Sequence, residues 1–485
     1  MSASQSGPRA SVWSRMKRVK PLHMIRSDAA DPEHRLSRTL SAVDLTSLGI
    51  GAIIGTGIFV LIGTAIVGDS VRLGAGPGIT LSFLVAGLAC GLAALCYAEF
   101  AAMIPVAGSA YTYTYVTLGE FIAWITGWNL VLEYGVASVA VAVGWSGYFN
   151  KLLQLGGIHL PHWATHAPGG PDGGLVNLPA SIIVLLVTWV LVVGIKESAR
   201  TTSVIVVVKL AIILFFIAVG GTQVNPENWT PYLPNGYAGV GAAAAIVFFA
   251  YIGFDAVSTA AEEAKNPQRD MPIGIIASLG ICTLLYLLVA AILTGMVPWN
   301  EVDVHAPIAA ALEMLGFKWG AALVSVGAVA GITSVLIVLL MGQVRIFFAM
   351  SRDGLLGGWL ASVHPRFRTP YRASWLTGIV VAILAGVLDL GAAADMTNIG
   401  TLFAFLLVCV AVIFLRYTRP DERRPFRTPL MPWLPIAGAL ACFALMTFLP
   451  WVTWARFLIW TVLGLGIYFG YSIRRSRLNQ LEQSS

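Results

Sequence analysis

The sequence predicts an all-α integral membrane protein with 12 transmembrane helices, and three observations carry that prediction. Of 485 residues, 57% are hydrophobic and only 11% charged, whereas a soluble domain carries about 25% charge. Apolar runs of about twenty residues, each long enough to cross a bilayer core, recur along the whole chain, and the mean hydropathy is +0.79. The 50 glycines and the 11% of aromatic residues suit tightly packed membrane helices with interfacial belts. They do not suit a β-barrel, whose strands read as alternating segments of roughly ten residues.

Taken in order, the first six spans are expected at 42–66, 77–103, 119–149, 176–196, 202–221 and 238–261. The remaining six follow at 272–296, 319–350, 373–389, 396–417, 431–449 and 453–473. This divides the chain into a basic tail (1–40), a membrane domain (41–473) and a C-terminal tail (474–485). Within the membrane domain, 41–221 and 238–417 form two five-span halves, and 431–473 adds two further helices. An odd number of spans per half makes the second half run inverted relative to the first.

Charge fixes the expected orientation. With the N-terminus inside, Arg72, Lys151, Lys318 and Arg456 fall outside, and Lys209 lies within a span. Clusters such as Arg366, Arg368 and Arg372, or Arg419, Arg423, Arg424 and Arg427, fall inside, as the positive-inside rule requires. Both termini are therefore expected in the cytoplasm and the protein in the plasma membrane. The net charge of +6 reflects this topology, not nucleic-acid binding. The first 40 residues hold eight Lys or Arg but lack the apolar core and cleavage site of a signal peptide. Arg15, Lys17, Arg18 and Lys20 are expected to reach anionic lipid. The five cysteines lie in apolar runs without a CxxC pair or a histidine cluster, so neither a disulfide framework nor a metal site is expected.

Two spans carry breaks. Span one contains Gly49-Ile50-Gly51-Ala52-Ile53-Ile54-Gly55-Thr56-Gly57, with four glycines in nine residues, each costing about 1 kcal/mol of helix relative to alanine. Unwound backbone is tolerated in hydrocarbon only where protein buries it or a cavity receives it. Close helix packing is the simpler use of such glycines, and a dinucleotide fingerprint fails because Ile54 stands where the last glycine is needed. Span six carries Phe248-Phe249-Ala250-Tyr251-Ile252-Gly253-Phe254-Asp255. Interrupted segments at corresponding positions of two halves point to a midplane binding site. There the N–H groups of Gly55, Thr56 and Gly57 suit a carboxylate. Carbonyls near Ala52, Ile53, Phe249 and Ala250 suit an ammonium, and an α-amino acid carries both groups.

Several ionisable residues lie at membrane depth. Lys209, about two turns into span five, either snorkels to the interface or is a buried amine that exchanges a proton. Glu133, far from either end of span three, is a functional candidate or a structural acid that holds helices together. Asp255 either caps the lower half of span six or pairs with Lys209. Glu99 and Glu120, near inner ends, read as structural or gating residues. Thr333 and Ser334 in span eight could bind a cation, although such hydroxyls commonly satisfy neighbouring helices.

Long strings then carry a resemblance: LGIGAIIGTGIFV, LCYAEFAA, GSAYTY, LEYGVASVAVAVGWSGYF, FFAYIGFDAVSTAAEEAKNPQRDMPIGI and SRDGLL. From about 36 to 473 the chain resembles the amino acid-polyamine-organocation superfamily, and more closely bacterial members of its cationic amino acid transporter branch. The resemblance implies two inverted five-helix repeats, two further helices and alternating access. It implies that the substrate carboxylate meets Gly55, Thr56 and Gly57, and that the amine meets carbonyls of Ile53, Phe249, Ala250 and Ile252. Lys209 stands where sodium-coupled relatives hold a cation, which implies proton coupling, and Glu133 falls near the substrate.

The expectation is a secondary active amino acid transporter, a proton-coupled symporter in which Lys209 and Asp255 handle the proton. An exchanger, a facilitator and a non-transporting sensor are the alternatives. A channel would favour a repeated filter, and no HExxH, GxSxG or Walker motif suggests an enzyme. The expected partners are an amino acid, a proton and the lipid bilayer, with a small membrane accessory subunit as an optional further one. No cofactor and no nucleic acid are expected.

Overall fold

The computed structural model describes residues 15–21, 39–104, 109–168, 173–194 and 199–484. Most of the expected basic tail, 1–14 and 22–38, lies outside the described residues. The described residues are helical apart from loops and two isolated bridges.

Span one is two pieces. Helix α1 (Ala42–Ile53) starts at a capping box, in which Asp44 N–H donates to Ser41 Oγ and Ser41 N–H donates to the Asp44 carboxylate. After Ile54–Thr56 the chain resumes as a π-turn (Gly57–Leu61) and α2 (Ile62–Val67), and the two pieces are bent by 43°. Span two is α3 (Ile79–Met103), followed by a short helix, α4 (Ser109–Thr117), that hydropathy did not reveal. Span three is α5 (Glu120–Leu155). Span four is α6 (Leu178–Val193), capped by Asn177 and closed by left-handed Gly194. Span five is α7 (Ala199–Gly221).

Span six is α8 (Gly236–Val247), a 3₁₀ turn (Phe248–Tyr251) and a single further turn, α9 (Ala256–Thr259). The expected lower half-helix is thus one α turn followed by a 3₁₀ turn (Ala261–Glu263), reached through extended Ile252 and Gly253 at φ +116°. The later helices are α10 (Pro267–Met296), short α11 (Pro307–Met314), α12 (Lys318–Arg352), α13 (Tyr371–Val387) and α14 (Leu390–Thr418). Two more, α15 (Trp433–Thr447) and α16 (Trp451–Ile467), follow.

Among the described residues seven helices are long and apolar enough to cross a membrane, and the bent α1–α2 pair makes an eighth. The four remaining expected spans coincide with shorter apolar helices of 10–17 residues. The halves interlock: α3 packs on α10, α5 on α12 and α6 on α13, and the two breaks touch each other.

The face that carries residues 15–21 and the last described helical residues is knitted together by polar contacts. Lys20 Nζ lies 2.9 Å from Asp353 Oδ1, both residues being buried, and Tyr111 Oη donates to Asp353 Oδ2. Arg18 donates to Asn479, and Arg477 N–H to the Asp353 carbonyl. Lys20 therefore faces protein, not the expected lipid, because Asp353 and Tyr111 offer a buried carboxylate and hydroxyl there. Glu99 accepts two hydrogen bonds from Arg416 and one from Thr428 N–H. Glu120 accepts from Tyr115 and Tyr468. Both acids hold helix ends together.

Candidate functional site

The two breaks meet through glycines. A Cβ at Gly57 would lie 2.2 Å from Ala250 Cα and 2.7 Å from its nitrogen, so only glycine lets the backbones approach this closely. Reciprocally, a Cβ at Gly253 would lie 2.9 Å from the carbonyl carbon of Ala52. Below this contact, Leu40 pairs with the chain after α9: Leu40 N–H donates to Glu263 O and Lys265 N–H to Leu40 O. Spans one and six are thus joined at three levels.

The carbonyls freed by the breaks have donors. Lys209 Nζ donates to Gly51 O at 2.7 Å and to Ile54 O at 2.9 Å, and the residue is 1% exposed. Its stem lies against Gly331 of α12, where a Cβ would come within 3.1 Å of Lys209 Cε. The lysine does not snorkel: burial between α1 and α12 turns its ammonium to the break. Nor does it donate to Asp255. That carboxylate stands at the N-cap position of α9 without a capping hydrogen bond and accepts from Tyr134 Oη at 2.9 Å.

Tyr286, on α10, bridges both breaks. Its hydroxyl lies 3.0 Å from Ile53 O and 3.0 Å from Ala250 O, two of the carbonyls expected to receive an amine. Each keeps a second lone pair. The Phe249 carbonyl accepts from Ile252 N–H, and Phe249 and Ile252 are buried beside it. Gly55 faces Val335 of α12, and the Thr56 methyl packs against Gly144 of α5. The Thr56 hydroxyl is buried and has no hydrogen-bond partner among the described residues.

Glu133 is fully buried on α5, and neither carboxylate oxygen has a hydrogen-bond partner among the described residues. Asp255 and the Thr401 hydroxyl are its neighbours. Unpaired buried acceptors of this kind cost about 1–3 kcal/mol each, a cost that a donor brought to this position would remove. Thr333 accepts from Trp145 Nε1 and donates to Val329 O, while Ser334 donates to Gly331 O. Both hydroxyls are used locally, and neither has joined the span-one carbonyls.

A cavity of about 250 Å³ opens at the end of the molecule away from Lys20 and Asp353. Asn150, His166, Asp303 and His305 are among its wall residues, and Val60 and Gly144 its floor. Since Gly144 touches Thr56, the cavity ends one residue layer above the breaks. Sequence reasoning missed Tyr286, Tyr134 and this cavity. A tyrosine in an apolar run carries no spacing signal, and only the tertiary crossing of α10 over both breaks reveals its role.

The family described as amino acid permease matches residues 40–468. A methylthioribose transporter of Bacillus subtilis is 51% identical over 467 residues, covering 96% of this chain and 100% of the relative. A branched-chain amino acid permease of the same organism is 52% identical over 455 residues, covering 93% and 97%. A vacuolar cationic amino acid transporter of Arabidopsis thaliana is 40% identical over 414 residues, covering 84% and 67%.

Proposed function

For this chain, which belongs to the amino acid permease family and is a membrane transporter, not an enzyme, we propose proton-coupled symport of an amino acid by alternating access. The observation that carries the proposal is the arrangement at the crossed breaks: Tyr286 spans Ile53 O and Ala250 O while Lys209 holds Gly51 O and Ile54 O. The substrate carboxylate would lie on the N–H groups of Gly55, Thr56 and Gly57 and on the partnerless Thr56 hydroxyl. Its ammonium would use the second lone pairs of the Ile53 and Ala250 carbonyls, with Phe249 and Ile252 as the adjoining wall. Glu133 would receive a donor from the substrate side chain or from a water bound with it.

Protonated Lys209 donates charge-assisted hydrogen bonds, roughly twice as strong as neutral ones. In this scheme loss of its proton weakens the grip on Gly51 and Ile54 and frees α1 to move relative to α12. Asp255, beside Tyr134 and Glu133, is the second proton-handling group. Twelve spans in two inverted halves plus two further helices, a plasma-membrane location and cytoplasmic termini complete the proposal. The packing of α3 on α10, α5 on α12 and α6 on α13 supports the two-fold arrangement.

A second reading rests on the relative named as a methylthioribose transporter. That thio-sugar has neither ammonium nor carboxylate, so it would use the breaks through hydroxyl groups. The test is uptake of radiolabelled Ala, Leu, Lys, Arg and methylthioribose into proteoliposomes of the purified protein, without sodium, with and without an inward proton gradient. Accumulation of an amino acid that a protonophore collapses is the expected result. Uptake of methylthioribose alone would replace the amino acid reading, and downhill flux indifferent to the gradient would remove the coupling.

A further inference from the structure

The last turn of α8 before the span-six break is held by a residue of a neighbouring helix. Asn398, on α14, is fully buried, and its Nδ2 donates to Ala245 O at 2.7 Å and to Ile246 O at 3.3 Å. Two carbonyl acceptors require the amide nitrogen there and fix the orientation of the side chain. Here the helix tightens to the 3₁₀ turn Phe248–Tyr251, a change that disturbs the acceptor pattern of the preceding carbonyls. Two turns along α14, Phe405 packs between Phe248 and Phe254, on either side of the break. One turn the other way, Asp395 is ion-paired with Arg72 in the loop after span one.

We propose that Asn398 is a positioning residue for transport, fixing the span-six break so that its carbonyls meet the substrate, and linking that break through α14 to the loop beyond span one. This rests on the reading that substrate binds at the breaks. Its geometric content, that Asn398 holds 245–253 in place, does not depend on which cargo is carried.

The test compares Asn398→Leu, which removes the donor, with Asn398→Asp, which keeps the shape but offers the two carbonyls at most one donor, from a protonated carboxyl. KM and maximal rate of counterflow are measured in proteoliposomes, and backbone hydrogen exchange over 245–254 on the purified protein. Loss of the paired donor should raise KM roughly tenfold in the Leu variant, with the maximal rate changed by no more than about twofold. A buried Asp takes up a proton and can donate once, so it should lie between the wild type and Leu, and exchange should rise over 248–253 in both. A side chain that merely filled space would leave exchange over 248–253 unchanged in the Asp variant and KM no higher in Leu than in Asp, and that result would overturn the proposal. A wild-type KM in the Leu variant would overturn it too. If the Asp variant fails to fold, the Leu variant decides by the same readings. If the wild type carries no amino acid, hydrogen exchange decides: faster exchange in the Leu variant upholds the positioning role, and unchanged exchange overturns it.

Discussion

The breaks in spans one and six do the same job by different chemistry. Span one interrupts a helix for three residues, Ile54–Thr56, and resumes it through a π-turn, so helix stands on both sides. Span six tightens into 3₁₀, turns at Gly253 with φ +116° and recovers one α turn and a 3₁₀ turn. Their freed carbonyls differ in the same way. At span one Gly51 and Ile54 receive a lysine ammonium and Ile53 shares the Tyr286 hydroxyl, whereas at span six Ala245, Ile246 and Ala250 receive the neutral donors of Asn398 and Tyr286. Of the two, only the span-one break is therefore held by a donor that can give up a proton and stay in place. That is the physical reason for placing the Lys209 proton step at span one, with Asp255, just after the span-six break, as the second proton-handling group.

The largest effect should come from separating the breaks. Gly57→Ala places a methyl in the Ala250 backbone, which cannot yield as a side chain does. Overpacking of this kind costs about 1–3 kcal/mol or more, so uptake should fall to background, as should the thermal stabilisation given by substrate. Gly253→Ala is next, because it combines a left-handed backbone with a contact to Ala52. Strain of about 1–3 kcal/mol should lower initial uptake by roughly ten- to a hundredfold. A wild-type rate in either variant would mean that the breaks need not touch.

Tyr286→Phe removes the hydroxyl shared by both breaks while keeping the ring. One hydrogen bond is worth about 0.5–1.5 kcal/mol net, and KM from initial-rate uptake should rise by that amount, up to roughly tenfold. The smallest effect is expected from Gly331→Ala, whose methyl would lie 3.1 Å from Lys209 Cε. The stem can shift by a few tenths of an ångström. The pH dependence of uptake should therefore move while KM stays within about twofold, since this wall of Lys209 lies off the proposed substrate contacts. If KM moves and the pH profile does not, Lys209 acts on substrate and not on the proton.

Much of this was legible in the sequence. The glycine cluster at 49–57 and the Gly253–Asp255 step marked both breaks because hydrocarbon makes such residues expensive. Lys209 stood out for the same reason. What it touches did not, since a long stem can reach an interface or a neighbouring helix, and only the packing of α1, α7 and α12 decides. The assignment of Asp255 to a cap or to Lys209 failed because the helix it would cap is one turn long and Tyr134 supplies a donor from α5. The short α4 and α11 have too few residues to register as apolar runs.

The most direct test of the assignment to span one is gradient-driven uptake by Lys209→Met, which keeps an unbranched stem against Gly331 and removes the ammonium. In proteoliposomes with an inward proton gradient, the variant should retain substrate counterflow but lose accumulation above the external concentration. Accumulation equal to the wild type, still collapsed by a protonophore, would show that the proton is carried elsewhere and would contradict the account.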